Sequence, residues 1–368
     1  MKKRAVGIEL LRIMFMMMIL VLHVNLNGGV LYGTEFGGIN YFTAWLLESF
    51  CYCSVSGYAM ITGYVCCDGN FRYSKIIPVW LQVFFWTALI NVVFVLSGAK
   101  ELNLSAMSFM PITNDIYWYF SCYAGMFMLI PFFNKLIERL DFKEFTILAV
   151  TLFGVFSLYS NSFAKDKDPF CLLNGFSMVW ISAAYFFGAY VKKYGSVFKV
   201  RKRTWAAVYI ISSVVPGMIS CMLDVVSHES FGELLPTDKL GGYMFGYNSP
   251  FITIAALSLL MIFKDTEFRS PRLNSLICFF GASSFGVYII HTHPLIFKRI
   301  LVDAFTGYAQ LSAPLMALCI IATAIAGYII LALAERCRIL AFDLLKVRER
   351  IFNAADFISD KLSGMKLK

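Results

Sequence analysis

The first apolar stretch of the chain, residues 6–26, carries three ionisable side chains: Glu9, Arg12 and His23. Burying such groups at membrane depth is costly, and those that occur there usually serve a function. Arg12 and His23 are eleven residues apart. This spacing is close to three helical turns, so both side chains project from one helix face. Glu9 lies one turn before Arg12 and can pair with it. The face therefore presents an ion pair at one end and an imidazole about 16 Å further along.

His23 is a candidate general base, because histidine is the side chain best suited to proton transfer near neutral pH. Each of these residues could also have a purely structural role. Arg12 could extend its charged end to lipid headgroups, with Glu9 as its surface partner. His23 could be a packed, hydrogen-bonded helix histidine. The first stretch alone leaves both interpretations open.

Other candidate residues lie in or beside later apolar stretches. Glu48 is a carboxylate within the second stretch, where it is either interfacial or functional. Arg72 and Lys75 lie one turn apart before the third stretch. They are either membrane anchors or a clamp for a phosphorylated ligand. Together with Arg12 they would suit the phosphates of coenzyme A. Trp118 opens the fourth stretch and belongs either to an aromatic belt or to the wall of an acceptor pocket.

The ninth stretch reads FFGASSFGVYIIHTHPLIF and carries His291 and His293, with Tyr288 one turn earlier. Two more histidines at the end of an apolar helix favour a polar interior site. No metal site is expected, because neither an HExxH motif nor a carboxylate cluster accompanies them.

The elements that position these residues are membrane helices. The chain has 368 residues, of which 59% are hydrophobic and 15% charged, with a mean hydropathy of +0.70. Soluble domains are less apolar and more highly charged. Most of the ten cysteines lie in apolar runs without CxxC spacing, so no disulfide is expected. The net charge of +9 does not indicate nucleic-acid binding, because the basic residues alternate with the apolar stretches.

We predict an all-α, polytopic membrane bundle of about ten transmembrane helices. The predicted spans are about 6–26, 41–66, 77–98, 117–136, 145–160, 176–191, 205–223, 250–263, 276–297 and 314–334. Placing both termini in the cytoplasm leaves 26 of the 32 Lys and Arg residues on the cytoplasmic side, as the positive-inside rule requires.

Two regions follow from this topology. Residues 1–334 form the predicted transmembrane domain, and residues 335–368 form a basic amphipathic cytoplasmic tail that lies along the inner membrane surface. Residues 224–249 make the longest external segment. Its composition is that of an ordinary loop, although it could form part of a lid or of an acceptor-binding surface.

Four motifs occur in order along the chain. They are an acid-x-x-Arg start that continues as Arg-x10-His, a small-Gly-Tyr ending of the second span, Arg-x-x-Lys before the third, and a late Ser-Phe-Gly-x-Tyr-x-x-His-x-x-Pro segment. Their residues are Glu9, Arg12, His23, Thr62, Gly63, Tyr64, Arg72, Lys75, Ser284, Phe285, Gly286, Tyr288, His291 and Pro294. With these motifs the chain resembles the type 3 family of integral membrane acyltransferases, which O-acylate surface polysaccharides and other envelope acceptors. The family motif has Arg at the position of Lys75. Lysine keeps the positive charge but lacks the guanidinium group, which can make bidentate hydrogen bonds.

The resemblance implies an acyl-CoA-dependent O-acyltransferase of the cytoplasmic membrane, with acetyl as the favoured acyl group. Acyl-CoA is a co-substrate, and no permanently bound cofactor is expected. The expected acceptor is a lipid-linked or envelope sugar. His23 is then catalytic, Arg12, Arg72 and Lys75 bind the donor, and Glu9 supports Arg12. Glu48, Trp118, Tyr288 and His291 contact the acceptor.

Several alternatives stay open at this point. His23 could act as a base or be transiently acylated. The protein could form a homo-oligomer or work with a separate partner enzyme. A secondary transporter or flippase, with Glu48, His23 and His291 as a proton relay, is the main competing function. A membrane sensor or assembly protein is the third.

Overall fold

The computed structural model describes residues 5–69, 71–98, 109–110, 112, 116–163, 167–231, 244–347 and 349–350. The chain is 80% helical and has no strand within these residues. The predicted all-α class is therefore confirmed. Within the part of the chain that the structure describes, seven helical segments are long and apolar enough to cross a membrane. They are Val6–Gly33, Tyr73–Leu96, Trp118–Arg139, Phe142–Ser162, Lys202–Val226, Pro271–His291 and Ala313–Leu344.

The helices are numbered here in chain order. In the first half they are α1 Val6–Leu22, α2 Val30–Gly33, α3 Ile39–Cys51, α4 Ser54–Cys66, α5 Ile76–Leu96, α6 Trp118–Arg139, α7 Phe142–Leu152 and α8 Ser160–Ser162. In the second half they are α9 Met178–Tyr194, α10 Lys202–Phe231, α11 Pro250–Phe263, α12 Pro271–Gly281, α13 Ser284–His291, α14 Pro294–Ile296 and α15 Ala313–Leu344.

Three of the ten predicted spans, the second, sixth and eighth, are not among the seven segments of membrane-spanning length. The second is broken at Tyr52 into α3 and α4, each of 13 residues. α9 has 17 residues and α11 has 14. A full crossing takes about 20 residues, although partly buried helices can be shorter. The number of ten spans and the cytoplasmic termini stay predictions.

α1 is the central helix of the bundle. It contacts α3, α4, α11, α12, α13 and α15. Its Leu, Ile and Met residues are good helix formers, and most of them are buried. The α-helical geometry ends at Leu22, and the next turn, His23–Asn27, is a π-helix. Gly29 then takes the left-handed conformation, with φ of 82°, which stops the helix.

Small residues let α4 and α9 approach closely. A Cβ on Gly63 would lie 1.9 Å from the carbonyl oxygen of Tyr185. A Cβ on Gly188 would lie 1.8 Å from the carbonyl oxygen of Met60. Membrane helices pack through such positions because a missing side chain lets the two backbones touch. The contact fixes α4, which carries one wall of the cavity described below.

A buried acid ties α15 to α5 and α13. Glu335 is fully buried and accepts hydrogen bonds from Trp86, Gln82 and Arg338. Gly286 of α13 lies directly under this carboxylate, because a Cβ there would fall 2.4 Å from the Glu335 Cγ. A buried charge needs such a complete set of partners. The contact fixes the position of α13 and with it the position of His291.

α15 continues to Leu344, ten residues past the predicted end of the transmembrane domain at 334. Most of the predicted amphipathic tail lies outside the described residues, as do residues 232–243 of the predicted external segment. The two-region organisation therefore stays a prediction.

Candidate functional site

A cavity of about 410 Å³ lies inside the bundle beside α1. Small-molecule sites in proteins commonly have a few hundred Å³ and mostly apolar walls with a few polar groups. This cavity follows that pattern. Its polar or aromatic lining residues include His23, Asn27, Glu48, Tyr52, Tyr58, Tyr117, Trp118, Tyr119, Phe176, Tyr247, Tyr288, Thr292 and Phe297.

One face of α1 forms a long wall of this cavity. Met16, Ile19 and His23 line it, followed by Asn27 from the π-helical turn. Met16 and Asn27 are eleven residues apart, which corresponds to about 16 Å along the helix. The cavity therefore runs alongside α1 between these two residues. Arg12 is one turn before Met16 on the same face.

His23 is the first residue of the π-helical turn. Such turns insert an extra residue into a helix, are rare, and occur frequently at functional sites. The ring of Phe297 meets the imidazole edge to face, with ring centres 5.3 Å apart. The turn ends the regular helix at the point where the imidazole enters the cavity.

A second imidazole stands behind the first. His291 Nε2 is 3.1 Å from His23 Nδ1. His291 Nδ1 is 2.6 Å from the carbonyl oxygen of Val287, one turn earlier in α13. His291 is 2% exposed, and it does not line the cavity, whereas His23 does. The structure thus places His291 one layer behind His23 rather than on the wall where an acceptor contact was expected.

Glu48 lies on the cavity wall and is only 2% exposed, so it is not an interfacial acid. Asn25, two residues beyond His23, donates a hydrogen bond from Nδ2 to Glu48 Oε1 at 2.9 Å. The same Nδ2 donates to the carbonyl oxygen of Ala44 at 3.0 Å. These bonds connect the π-helical turn to α3. They also hold a carboxylate in the same cavity as His23.

Aromatic rings form the wall that includes Trp118. The Trp118 ring stacks nearly parallel on Tyr247, with centres 5.9 Å apart and an angle of 12°. Phe176 contacts Trp118 at 4.6 Å, and Tyr52 contacts Tyr247 at 4.8 Å. Tyr288 also lines the cavity, at 8% exposure. Trp118 and Tyr288 therefore occupy positions where they can touch a ligand in the cavity.

The ion pair of α1 lies before the cavity-lining residues of that helix. Arg12 Nη1 lies 2.8 Å from Glu9 Oε1, and Glu9 is 3% exposed. Tyr58, a lining residue, donates its hydroxyl hydrogen to the Arg12 carbonyl oxygen at 2.6 Å. The Arg12 side chain is 29% exposed. Arg12 is therefore joined to the cavity wall through its backbone, and its guanidinium remains partly open to solvent.

Arg72 and Lys75 are exposed; Arg72 directly precedes the 3₁₀ turn Tyr73–Lys75 before α5, and Lys75 is its last residue. Lys75 and Arg12 both lie within electrostatic reach of the Cys66 thiol at the end of α4. The two cations are therefore at the same end of the bundle. Arg72 lies at the same end, three residues from Lys75 in the chain.

His293 has a local role. It caps α14 by accepting a hydrogen bond from the Leu295 backbone N–H at 3.3 Å, and it does not line the cavity. No group of three potential metal-binding side chains comes together among the residues that the structure describes. All ten cysteines are free.

Several residues of the site were not singled out from the sequence, among them Asn25, Tyr58 and Tyr247. A polar residue two positions beyond His23 in an apolar run is a signal that could have indicated Asn25. Tyr247 belongs to the predicted external segment 224–249, for which an acceptor-binding surface was one interpretation. Nothing in the local pattern distinguishes Tyr58 from other membrane tyrosines.

A helical bundle with seven apolar segments long enough to cross a membrane, and with an internal cavity lined by a histidine, a glutamate and aromatic rings, is typical of an integral membrane protein with an internal binding site. The chain belongs to the acyltransferase type 3 family, because the family model described as an acyltransferase domain matches residues 6–333. Comparison with curated proteins and comparison with solved structures gave no match. The resemblance expected from the motifs is thereby confirmed, and the chain is a membrane protein of an acyltransferase family.

Proposed function

We propose that the protein transfers an acyl group, acetyl in the simplest case, from acyl-CoA to a hydroxyl of a lipid-linked or envelope sugar. The observation that carries this proposal is the position of His23. Its imidazole lines an internal cavity, and Tyr58, a residue of the same cavity wall, bonds to the backbone of Arg12. A base inside the cavity and a cation beyond its Tyr58 wall suit a donor and an acceptor that approach from opposite sides.

The donor is proposed to enter at the Arg12 end. Coenzyme A carries several phosphates, and Arg and Lys are the side chains that pair with phosphate oxygens. Arg12, Arg72 and Lys75 supply three cations at this end of the bundle. With both termini in the cytoplasm, this end faces the cytoplasm, where acyl-CoA is made. The thioester arm would then extend along the α1 face towards His23.

The acceptor is proposed to occupy the cavity between Glu48 and the stacked rings of Trp118 and Tyr247. The C–H faces of a sugar ring carry partial positive charge and pack on the negative faces of aromatic rings. Asn25 occupies Oε1 of Glu48, so the other carboxyl oxygen can form a hydrogen bond with a sugar hydroxyl. This combination favours a sugar over an aliphatic alcohol.

In the proposed reaction His23 removes the proton from the acceptor hydroxyl. The oxygen forms a bond to the thioester carbonyl carbon, and the carbon–sulfur bond then breaks. The thiolate of coenzyme A leaves and receives the proton from the imidazolium. No oxidant, reductant or further co-reactant is needed. General-base assistance of this kind contributes about 10²–10⁴-fold to a rate.

The proposal is tested by mass spectrometry of envelope glycans from cells with the gene, without it, and with the His23→Gln variant. Acyl esters should be present in the first sample and missing from the other two. Envelope glycans that are the same in all three samples would overturn the proposal. Proton-coupled uptake that depends on Glu48 would then favour the transporter.

A further inference from the structure

The contact between His23 and His291 gives the two imidazole rings different roles. The inference rests on the proposed function, in which His23 acts as a base. The starting point is the bond of His291 to the backbone. A carbonyl oxygen only accepts hydrogen bonds, so the 2.6 Å contact between His291 Nδ1 and the Val287 oxygen requires a hydrogen on Nδ1.

The surroundings of His291 determine its charge. This residue is 2% exposed, and no ion pair joins it to an acid in the part of the chain that the structure describes. Burying a cation without an anionic partner is strongly unfavourable. A neutral imidazole carries one N–H group only. Since that hydrogen is on Nδ1, His291 Nε2 has a free lone pair.

The distance between the two rings requires a hydrogen bond between them. His291 Nε2 lies 3.1 Å from His23 Nδ1, and one of the two nitrogens must donate. Because His291 Nε2 is the acceptor, His23 Nδ1 carries the hydrogen. The other ring nitrogen of His23, Nε2, is then unprotonated in the neutral residue and able to accept a proton.

We infer that His291 is a positioning residue: it fixes the Nδ1–H tautomer of His23, so that His23 Nε2 is the atom that takes the acceptor proton. The backbone of Val287 holds the His291 ring in place. His291 in turn holds the ring of His23.

The arrangement also serves the charged stage of the reaction. When Nε2 takes the hydroxyl proton, His23 becomes an imidazolium and still donates Nδ1–H to the lone pair of His291. A hydrogen bond from a charged donor is stronger than one from a neutral donor. The bond therefore strengthens as the charge develops, and it relaxes when the proton passes to the leaving thiolate. His291 holds the same protons throughout.

Nitrogen-15 NMR of the histidine rings tests the inference without any substrate. The chain has four histidines, so each signal can be assigned by single substitution in protein held in lipid nanodiscs. The expected result is a protonated Nδ1 and an unprotonated Nε2 for His23. A protonated Nε2 on neutral His23 in the unmodified protein would overturn the inference.

Three variants complete the experiment. His291→Phe keeps a planar ring but removes the acceptor, so His23 should shift to the other tautomer or to a mixture. His291→Gln can still accept from His23 through its side-chain oxygen and should restore the original tautomer at least in part. His293→Phe is the matched control two residues away, and its His23 signals should stay unchanged. An unaltered His23 spectrum in His291→Phe would also overturn the inference.

Kinetics supply the second readout. His291→Phe should lower kcat by at least about 10-fold, towards the ~10⁴-fold loss seen when a catalytic imidazole is held in the wrong tautomer. The KM for acetyl-CoA should stay the same, because the donor cations do not line the cavity. The NMR result stands whether or not acyl transfer is detected, so a failure of the proposed function and a failure of this inference can be told apart.

Discussion

Replacing Glu48 with glutamine tests the acceptor side of the cavity. The variant keeps the size of the side chain, and Asn25 can still donate its 2.9 Å hydrogen bond to the remaining carbonyl oxygen. The second carboxyl oxygen becomes an amide nitrogen, which cannot accept a hydrogen bond from a sugar hydroxyl. A hydrogen bond between uncharged groups contributes about 0.5–1.5 kcal/mol. The KM for the acceptor should therefore rise by about 2- to 10-fold.

The assay is acetyl transfer from labelled acetyl-CoA to p-nitrophenyl glycosides, with purified protein in nanodiscs. The KM values for donor and acceptor are measured separately. Only the acceptor value should change, because Glu48 lines the cavity whereas Arg12, Arg72 and Lys75 do not. An unchanged acceptor KM, or a rise in the donor KM instead, would refute the assignment of Glu48.

Glu335→Gln is a matched control for this experiment. Glu335 is a second buried carboxylate, but its hydrogen bonds all go to protein groups and it does not line the cavity. Removing its charge should lower stability by about 1–3 kcal/mol, since Arg338 loses its partner. Both KM values should stay the same in the fraction that remains folded. A shift of the acceptor KM in this variant would show that a change at any buried carboxyl group disturbs the cavity, so the effect at Glu48 would not be specific.

Three further predictions concern the aromatic wall, the donor end and the topology. Trp118→Ala should raise the acceptor KM by about 2- to 10-fold, because an aromatic contact contributes about 0.5–1.5 kcal/mol; an unchanged acceptor KM would reduce Trp118 to a membrane-belt residue. Arg72→Ala combined with Lys75→Ala should weaken acetyl-CoA binding, measured by calorimetry, by about 1–3 kcal/mol for each charged bond lost, and unchanged binding would leave both as membrane anchors. A cysteine placed at Glu35 should react with an impermeant maleimide added outside intact cells, whereas one placed at Arg201 should not; the reverse pattern would invert the topology and the donor route.

Local patterns in the sequence predict the parts of the site that lie on one helix. α1 is a regular α-helix up to Leu22. The eleven-residue spacing of Arg12 and His23 was therefore sufficient to predict that both lie on one helix face. The pairing of Glu9 with Arg12 has the same origin, since a separation of three residues places two side chains together on a helix. Composition was sufficient for the helical membrane class.

Contacts between distant segments could not be predicted in the same way. His23 and His291 are 268 residues apart in the chain, and their contact depends on the packing of α1 against α13. Helical periodicity gives the face of each helix but not the register of one helix against another. The π-helical turn adds a residue that no α-helical count includes, and it determines where Asn25 meets Glu48. The break between α3 and α4 could not be predicted from hydropathy, since both helices are apolar.

The most direct test of the account compares the unmodified protein with His23→Gln in nanodiscs. Labelled acetyl-CoA and p-nitrophenyl glycosides are supplied, and transfer of label is measured together with calorimetric binding of acetyl-CoA. Glutamine keeps the polarity and approximate size of histidine but cannot cycle a proton. The account predicts that transfer falls by at least about 10²-fold while acetyl-CoA binding is retained. A His23→Gln protein with near-normal turnover would contradict it.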